Sequence, residues 1–371
     1  MVQEVDFRRS LPPHVPGFAQ ELASSLGDIA QDPQHLGALM HESRAGSGER
    51  ERAAGVRFLG SRLGAGISPD RIMITNGTQG ALVLLFRDIV GSSGLLLAES
   101  LTYGALRALA EKCAIRVQGV AVDDEGICPE AFELACRTQR PRALYCNPSM
   151  HNPTTATMSL HRRWAVIEIA RKYGVTIIED EALGRLYPDM PQPLATLAPE
   201  ICWYVMTTTK CLSHGLRLSY TVAPSSKAAQ SMLESASALS FWVPMPLSVA
   251  LTTGWVESGT ADAITEEILA ECRLRQRHAV RILKGFDVRA PEGAMHIWVS
   301  LPRQTSANEF VRVAQDRGVL LRPGSHYSAD GAPAPNAVRA SLSSPANVDA
   351  VERGLEILRE TLEATSPGTS G

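Results

Sequence analysis

The sequence predicts an α/β protein: a large domain with a mostly parallel seven-stranded sheet flanked by helices, joined to a smaller α+β domain. Three observations carry this. Between about residues 70 and 225, short apolar runs alternate with amphipathic stretches of helical period. The last two of those runs stand too close together for a helical crossover, so one of them is expected to run antiparallel. Beyond Pro244 the pattern becomes helical and strand-poor.

Strands are expected at 71–75, 95–99, 115–122, 143–146, 175–179, 203–207 and 218–223, with helices at 80–89, 103–113, 129–137 and 160–172 between them. Apolar strands separated by helices indicate a sheet covered on both faces. Residues 1–69 read as an extended lead-in bearing Pro12, Pro13 and Pro16, followed by helix. A long helical pattern over 244–283 is broken near Gly259, two short strands are expected at 295–301 and 338–342, and a last helix at 348–364. The expected division is an N-terminal arm (1–45) that joins the small domain, a large domain (46–255) and a small domain (256–371), with a polar, disordered tail over 365–371.

With 44% hydrophobic and 20% charged residues and a net charge of −3, the 371-residue chain has the composition of a soluble globular protein. Near-neutral charge gives no reason to expect nucleic acid or an anionic membrane as partner. The N-terminus lacks a basic-then-apolar leader and no apolar run approaches spanning length, so a cytoplasmic protein is expected. Seven cysteines at irregular spacing and nine histidines without HxxxH or HExxH pairing predict neither a disulfide framework nor a metal site. Only five of the 36 basic residues are lysines. Four lie in polar, helix-like surroundings. Lys210 instead follows a strand and a run of threonines, where an amine able to deprotonate does what arginine cannot.

Ligands of parallel α/β sheets sit beyond the carboxyl ends of the strands. Those ends supply Gly77, Thr78 and Gln79 at a helix start, suited to an anion. They also supply Tyr103, Asn147 and Asn152, Asp180, the run Thr207–Lys210, and His214 with Arg217. An anion cradle, an aromatic ring, a carboxylate, a lysine and an arginine form the inventory for a phosphorylated pyridine aldehyde.

The motifs TNGTQGAL, AESLTY, HNPTTATMS, IIEDEALG, TTTK…GLR and NAVRASLS, in this order over about 75 to 342, resemble fold-type-I pyridoxal-phosphate enzymes of aminotransferase class I/II. Within that family the chain most resembles the aminotransferase-like domain fused to winged-helix regulators of the GntR type (MocR-like), although residues 1–45 are too short and too weakly basic for a winged helix. The resemblance implies that Lys210 forms the internal aldimine and moves the Cα proton, and that Asp180 pairs with the pyridine nitrogen. It implies that Asn152 bonds the phenolic oxygen and contacts substrate, and that Tyr103 stacks on the ring. Gly77, Thr78, Gln79, Thr207, Thr209 and Arg217 would cradle the phosphate, and Arg339 would take the substrate α-carboxylate. A homodimer with shared active sites is implied as well.

The chain departs from the family pattern at three places. Leu183 stands where a tyrosine normally donates to the cofactor's phenolic oxygen. His41, after Leu39 and Met40, falls where relatives often carry a tyrosine reaching the partner's phosphate; it is either a substitute for it or a loop histidine. His214 replaces a proline, either assisting proton transfer or lying at the surface. Phe18, Trp242, His326 and Tyr327 are candidate pocket residues by neighbourhood only. The leading expectation is transamination of an α-amino acid through a Cα-carbanion or quinonoid. The first alternative is a biosynthetic enzyme that diverts that intermediate to elimination, replacement, cyclisation or oxidation, S-adenosylmethionine being one such substrate. The second is a sensing module without turnover.

Overall fold

The computed structural model describes residues 4–41 and 48–365, with only the backbone of His35. The expected disordered tail falls almost wholly outside the described residues. Thr365, the one expected tail residue inside them, ends the last helix, Val348–Thr365.

Seven strands form the large sheet: β1 (Ile72–Thr75), β2 (Leu95–Glu99), β3 (Arg116–Val120), β4 (Ala143–Cys146), β5 (Thr176–Asp180), β6 (Cys202–Thr207) and β7 (Ser219–Val222). Their order is β1-β7-β6-β5-β4-β2-β3. β7 is antiparallel to both neighbours and the other pairings are parallel. This is the antiparallel strand that the short β6–β7 connection demanded. Alternating side chains feed two cores, one on each face. Leu144, Ile177 and Tyr204 belong to one; Tyr145, Ile178 and Val205 belong to the other.

The helices that cover the sheet include Gly77–Leu85, Leu106–Lys112, Pro129–Gln139 and Leu160–Tyr173. The last is capped by the Ser159 hydroxyl and stopped by Gly174, which adopts φ 66°. Three expected boundaries move for local reasons. The third strand ends at Val120, because Asp123 accepts from the Glu125 amide and Gly126 takes φ 101°, which turns Val122–Asp123 into a separate hairpin with Gly126–Ile127. The helix expected from residue 80 begins at Gly77 and passes into a π-helical turn at Phe86–Val90. The helix expected from residue 103 begins at Leu106, since the Thr102 amide is held by the Tyr327 carbonyl and Leu101 bridges Ser328.

The C-terminal part carries the helices Pro246–Ser258 and Thr260–Ile282, separated at Gly259 with φ 85° as the sequence break predicted. Its antiparallel sheet contains β8 (Val288–Arg289), β9 (His296–Ser300), β10 (Arg322–Pro323) and β11 (Ala337–Ser341), in the order β8-β9-β11-β10. β8 and β10 were not legible: two residues are too few to show a period. A third core fills this part, and it includes Val5 and Phe7 from the N-terminal lead-in. Val5–Asp6 pairs in parallel with Val319–Leu320, which ties the lead-in to the C-terminal part. No described helix is long and apolar enough to cross a membrane.

Candidate active site

The carboxyl ends of the parallel strands and the edge of the small sheet enclose a cavity of about 340 Å³. Gly77, Thr78 and Gln79 enter it from the helix after β1, Tyr103 from the loop after β2, and Asn147 and Asn152 from the loop after β4. Asp180, the last residue of β5, Thr209 and Lys210 after β6, and His214 and Arg217 before β7 complete the sheet side. Arg339 comes from β11, and His326 and Tyr327 from the turn after β10.

Strand alternation explains why Asp180 alone faces the cavity from the acidic run 179–181. Glu179 and Glu181 point to the opposite face, where each meets an arginine: Arg163 at 3.6 Å and Arg62 at 2.7 Å. Glu179 also accepts the Leu194 and Ala195 amides, and Glu181 the Tyr204 hydroxyl. Asp180 accepts the Tyr145 hydroxyl at 2.7 Å on Oδ2, while its buried Oδ1 has no partner. Burial pushes its carboxyl up to about 6, although the Tyr145 hydrogen bond and the charge of Lys210 oppose this. The Asn147 side chain donates to the Asp180 carbonyl and accepts the Asn152 amide at 2.8 Å, which sets the two asparagines and the aspartate in one frame.

Lys210 is half-buried and donates to the Ser10 carbonyl of the N-terminal lead-in. Burial, with repulsion from Arg339, lowers its ammonium to about 8, so a neutral amine is accessible near physiological pH. Arg339 donates to Asn152 Oδ1 at 2.7 Å and to the Arg8 carbonyl at 2.9 Å, lies over the Tyr327 ring at 5.2 Å, and keeps a buried Nε without partner. Gln79 donates to the Tyr103 hydroxyl at 3.0 Å, and burial raises the pKa of that phenol. Gly77 starts its helix at φ 68°, a conformation that suits glycine, beside the Arg217 backbone.

Two of the expected site residues stand apart. Thr207 is fully buried and does not line the cavity. Its hydroxyl donates to the Leu218 carbonyl at 3.0 Å and accepts the Thr209 amide at 3.2 Å, so it shapes the lysine loop. His41 ends the helix Pro33–His41 on the exposed surface, away from this chain's cavity wall. Of the neighbourhood candidates, His326 and Tyr327 line the cavity. Phe18 instead packs edge-on against Trp255, and Trp242 is buried with its indole donating to Ala236. Leu183 and His214 both line the cavity, and His214 carries a buried Nδ1 without partner.

Sequence reasoning missed Arg8, Ser10, Tyr145, His296 and Arg322, all in the cavity wall. Tyr145 left a trace, as the one hydroxyl-bearing residue of the strand ALYC. The others sit on the N-terminal lead-in or the small sheet, whose approach to the large sheet has no local signature.

The site fits pyridoxal phosphate on three counts. The unpartnered Asp180 Oδ1 is an acceptor in want of a donor such as a protonated pyridine nitrogen. Lys210 is an amine that burial makes nucleophilic. The start of the helix Gly77–Leu85, with Arg217, offers donors to a phosphate.

The family pattern of aminotransferase class I and II matches residues 32–355. The chain belongs to that family. It is 27% identical over 326 residues to an uncharacterized HTH-type transcriptional regulator of Bacillus subtilis, an alignment that covers 86% of this chain and 69% of the regulator. It is 29% identical over 283 residues to a 2-aminoadipate transaminase of Thermus thermophilus, covering 72% of this chain and 69% of the transaminase. Among solved structures, an archaeal alanine:glyoxylate aminotransferase superposes with a TM-score of 0.87 at 23% identity, covering 98% of this chain and 92% of the other. That likeness confirms the fold expected from the strand and helix pattern.

Proposed function

We propose that the protein is a pyridoxal-phosphate aminotransferase that acts on an α-amino acid. The carrying observation is the buried Asp180, one oxygen held by Tyr145 and the other unpartnered, in one cavity with a lysine of lowered pKa and a buried arginine. Bound there, the cofactor supplies an aldehyde that condenses with amines and a ring that takes up electrons released at Cα.

The residues divide the remaining work. Asp180 holds a proton at the pyridine nitrogen, its negative charge stabilised by Tyr145. Tyr103 packs against one ring face and is fixed by Gln79. Asn152, steadied by Asn147, faces the phenolic oxygen, and Thr78, Thr209 and Arg217 hold the phosphate. Arg339 takes the α-carboxylate, and its bond to Asn152 couples substrate orientation to the cofactor's position. Lys210, neutral in part near pH 7, removes the Cα proton and returns it one atom away.

The same reading makes the protein a cytoplasmic homodimer, with His41 contributed across the interface. It divides the chain into an arm (1–45), a large domain (46–255) and a small domain (256–371), so that the cavity lies between the last two. Leu183 favours a second reading. It puts an apolar side chain in the cavity wall where the family resemblance implies a phenol, which removes one restraint on electron flow and opens a diverted reaction such as elimination or oxidation.

Visible spectra of the purified protein test both. The expected result is a yellow band that amino acids bleach and a 2-oxo acid restores, lost as a covalent species in Lys210→Ala. No bound cofactor after reconstitution refutes the proposal. A lasting long-wavelength band, or oxygen consumption, selects the diverted reaction.

A further inference from the structure

Two buried polar side chains behind the cavity have no role in the reading above. Glu99 ends β2 and His151 lies in the loop after β4; both are buried and neither lines the cavity. A carboxylate at the end of an inner strand is costly unless it is bonded. Both Glu99 oxygens accept the Asn147 amide, at 3.2 and 3.0 Å. Glu99 Oε2 also stands 3.3 Å from His151 Nε2, a close polar contact just short of hydrogen-bond geometry. The ring has a defined direction. Its Nδ1 accepts the Thr154 backbone amide at 3.4 Å, a group that can only donate, and lies 2.8 Å from the Thr154 hydroxyl. The ring hydrogen therefore sits on Nε2 and points at the carboxylate.

What this contact holds is the turn that carries Asn152. Met150 and Thr155, on either side, take φ 48° and 62°, left-handed values that are costly for such side chains and worst for a β-branched one. A turn of this kind keeps its shape only where its surroundings over-determine it. Within it, the His151 amide donates to the Ala156 carbonyl at 2.8 Å and the Thr155 amide to the His151 carbonyl at 2.7 Å. From the sheet side, Glu99 meets both His151 and Asn147, and Asn147 Oδ1 takes the Asn152 amide at 2.8 Å. Asn152 Oδ1 is engaged by Arg339, which leaves its Nδ2 as the donor for the cavity. An apolar side chain at 151 would fill the same space without tying the turn to the sheet.

We infer that His151, braced on Glu99, is a positioning residue that holds Asn152 so that its amide donates to the cofactor's phenolic oxygen. This rests on the reading of the cavity as a pyridoxal-phosphate site.

The pH midpoint of the holoprotein's yellow band tests it, because that band titrates with the proton shared by the phenolic oxygen and the Lys210 nitrogen. A donor at the oxygen favours the unprotonated form, so its loss raises the midpoint. Asn152→Ala is expected to raise it by about one pH unit, a tenfold change in proton affinity, and His151→Met by a similar amount. His151→Gln, which keeps a donor within reach of Glu99, should shift it much less. His151→Met combined with Asn152→Ala should shift it no further than Asn152→Ala alone, since the histidine acts only through the asparagine. Circular dichroism verifies folding; should the methionine variant not fold, Thr154→Val, which frees the ring at Nδ1, replaces it and should shift the midpoint in the same direction. An unmoved midpoint in Asn152→Ala or in the His151→Met or Thr154→Val variant overturns the proposal. So does a glutamine variant shifted as far as methionine, or a shift added on top of Asn152→Ala. Failure of the functional reading is seen separately, as wild-type protein that takes up no cofactor and shows no band to titrate.

Discussion

Replacing Asp180 by asparagine should make the cofactor-free protein more stable at neutral pH while it destroys activity. Asp180 is a carboxyl whose pKa rises on folding, from 3.8 to about 6, chiefly because burial strips its water. The folded state therefore binds a proton more tightly than the unfolded chain, and stability falls as pH rises from about 4 to 6. A shift of this size corresponds to about 3 kcal/mol, fully felt above pH 6. Asparagine cannot ionise, so it escapes that slope; its new amide hydrogens in place of the unpartnered Oδ1 offset about 1–3 kcal/mol at every pH. The pH-dependent part is thus the clean signal. Measured by urea unfolding, the stability of Asp180→Asn relative to wild type should grow by about 2 kcal/mol between pH 4.5 and 7.5. Parallel pH profiles for the two proteins would refute the buried, destabilised carboxylate. The same variant should lose about a thousandfold or more in turnover, since a neutral amide no longer holds the pyridine proton.

Two further outcomes follow from the same geometry. Reconstitution of cofactor-free protein should accelerate about tenfold per pH unit up to about pH 8 and then level, because the neutral Lys210 amine attacks and its pKa is lowered to about 8; an amine of ordinary pKa would keep accelerating past pH 10, and stopped-flow absorbance separates the two. Arg62→Met should destabilise the fold by about 3–5 kcal/mol in denaturant titration, since it strands the buried Glu181 now held at 2.7 Å; a cost below about 1 kcal/mol would mean that Glu181 finds another partner.

The sequence by itself determined the α/β class, an antiparallel strand among the last two of the sheet, the break at Gly259 and the residues at the strand ends. All of these are local: they depend on apolar period, on spacing too short for a crossover, and on chemistry placed just after a strand. Lys210, Asp180, Asn152 and Tyr103 were legible for that reason, and they do line one cavity. Thr207 does not line that cavity, because position after a strand does not say which way a hydroxyl turns, and here it turns to the Leu218 carbonyl. Only the tertiary structure decided that Tyr145 braces Asp180, that Ser10 receives Lys210, and that Arg322 stands beside Arg339. These contacts join residues 35, 200 and 17 positions apart in the chain. The burial that raises Asp180 and lowers Lys210 arises from the packing of elements remote in sequence, and no window of residues contains it.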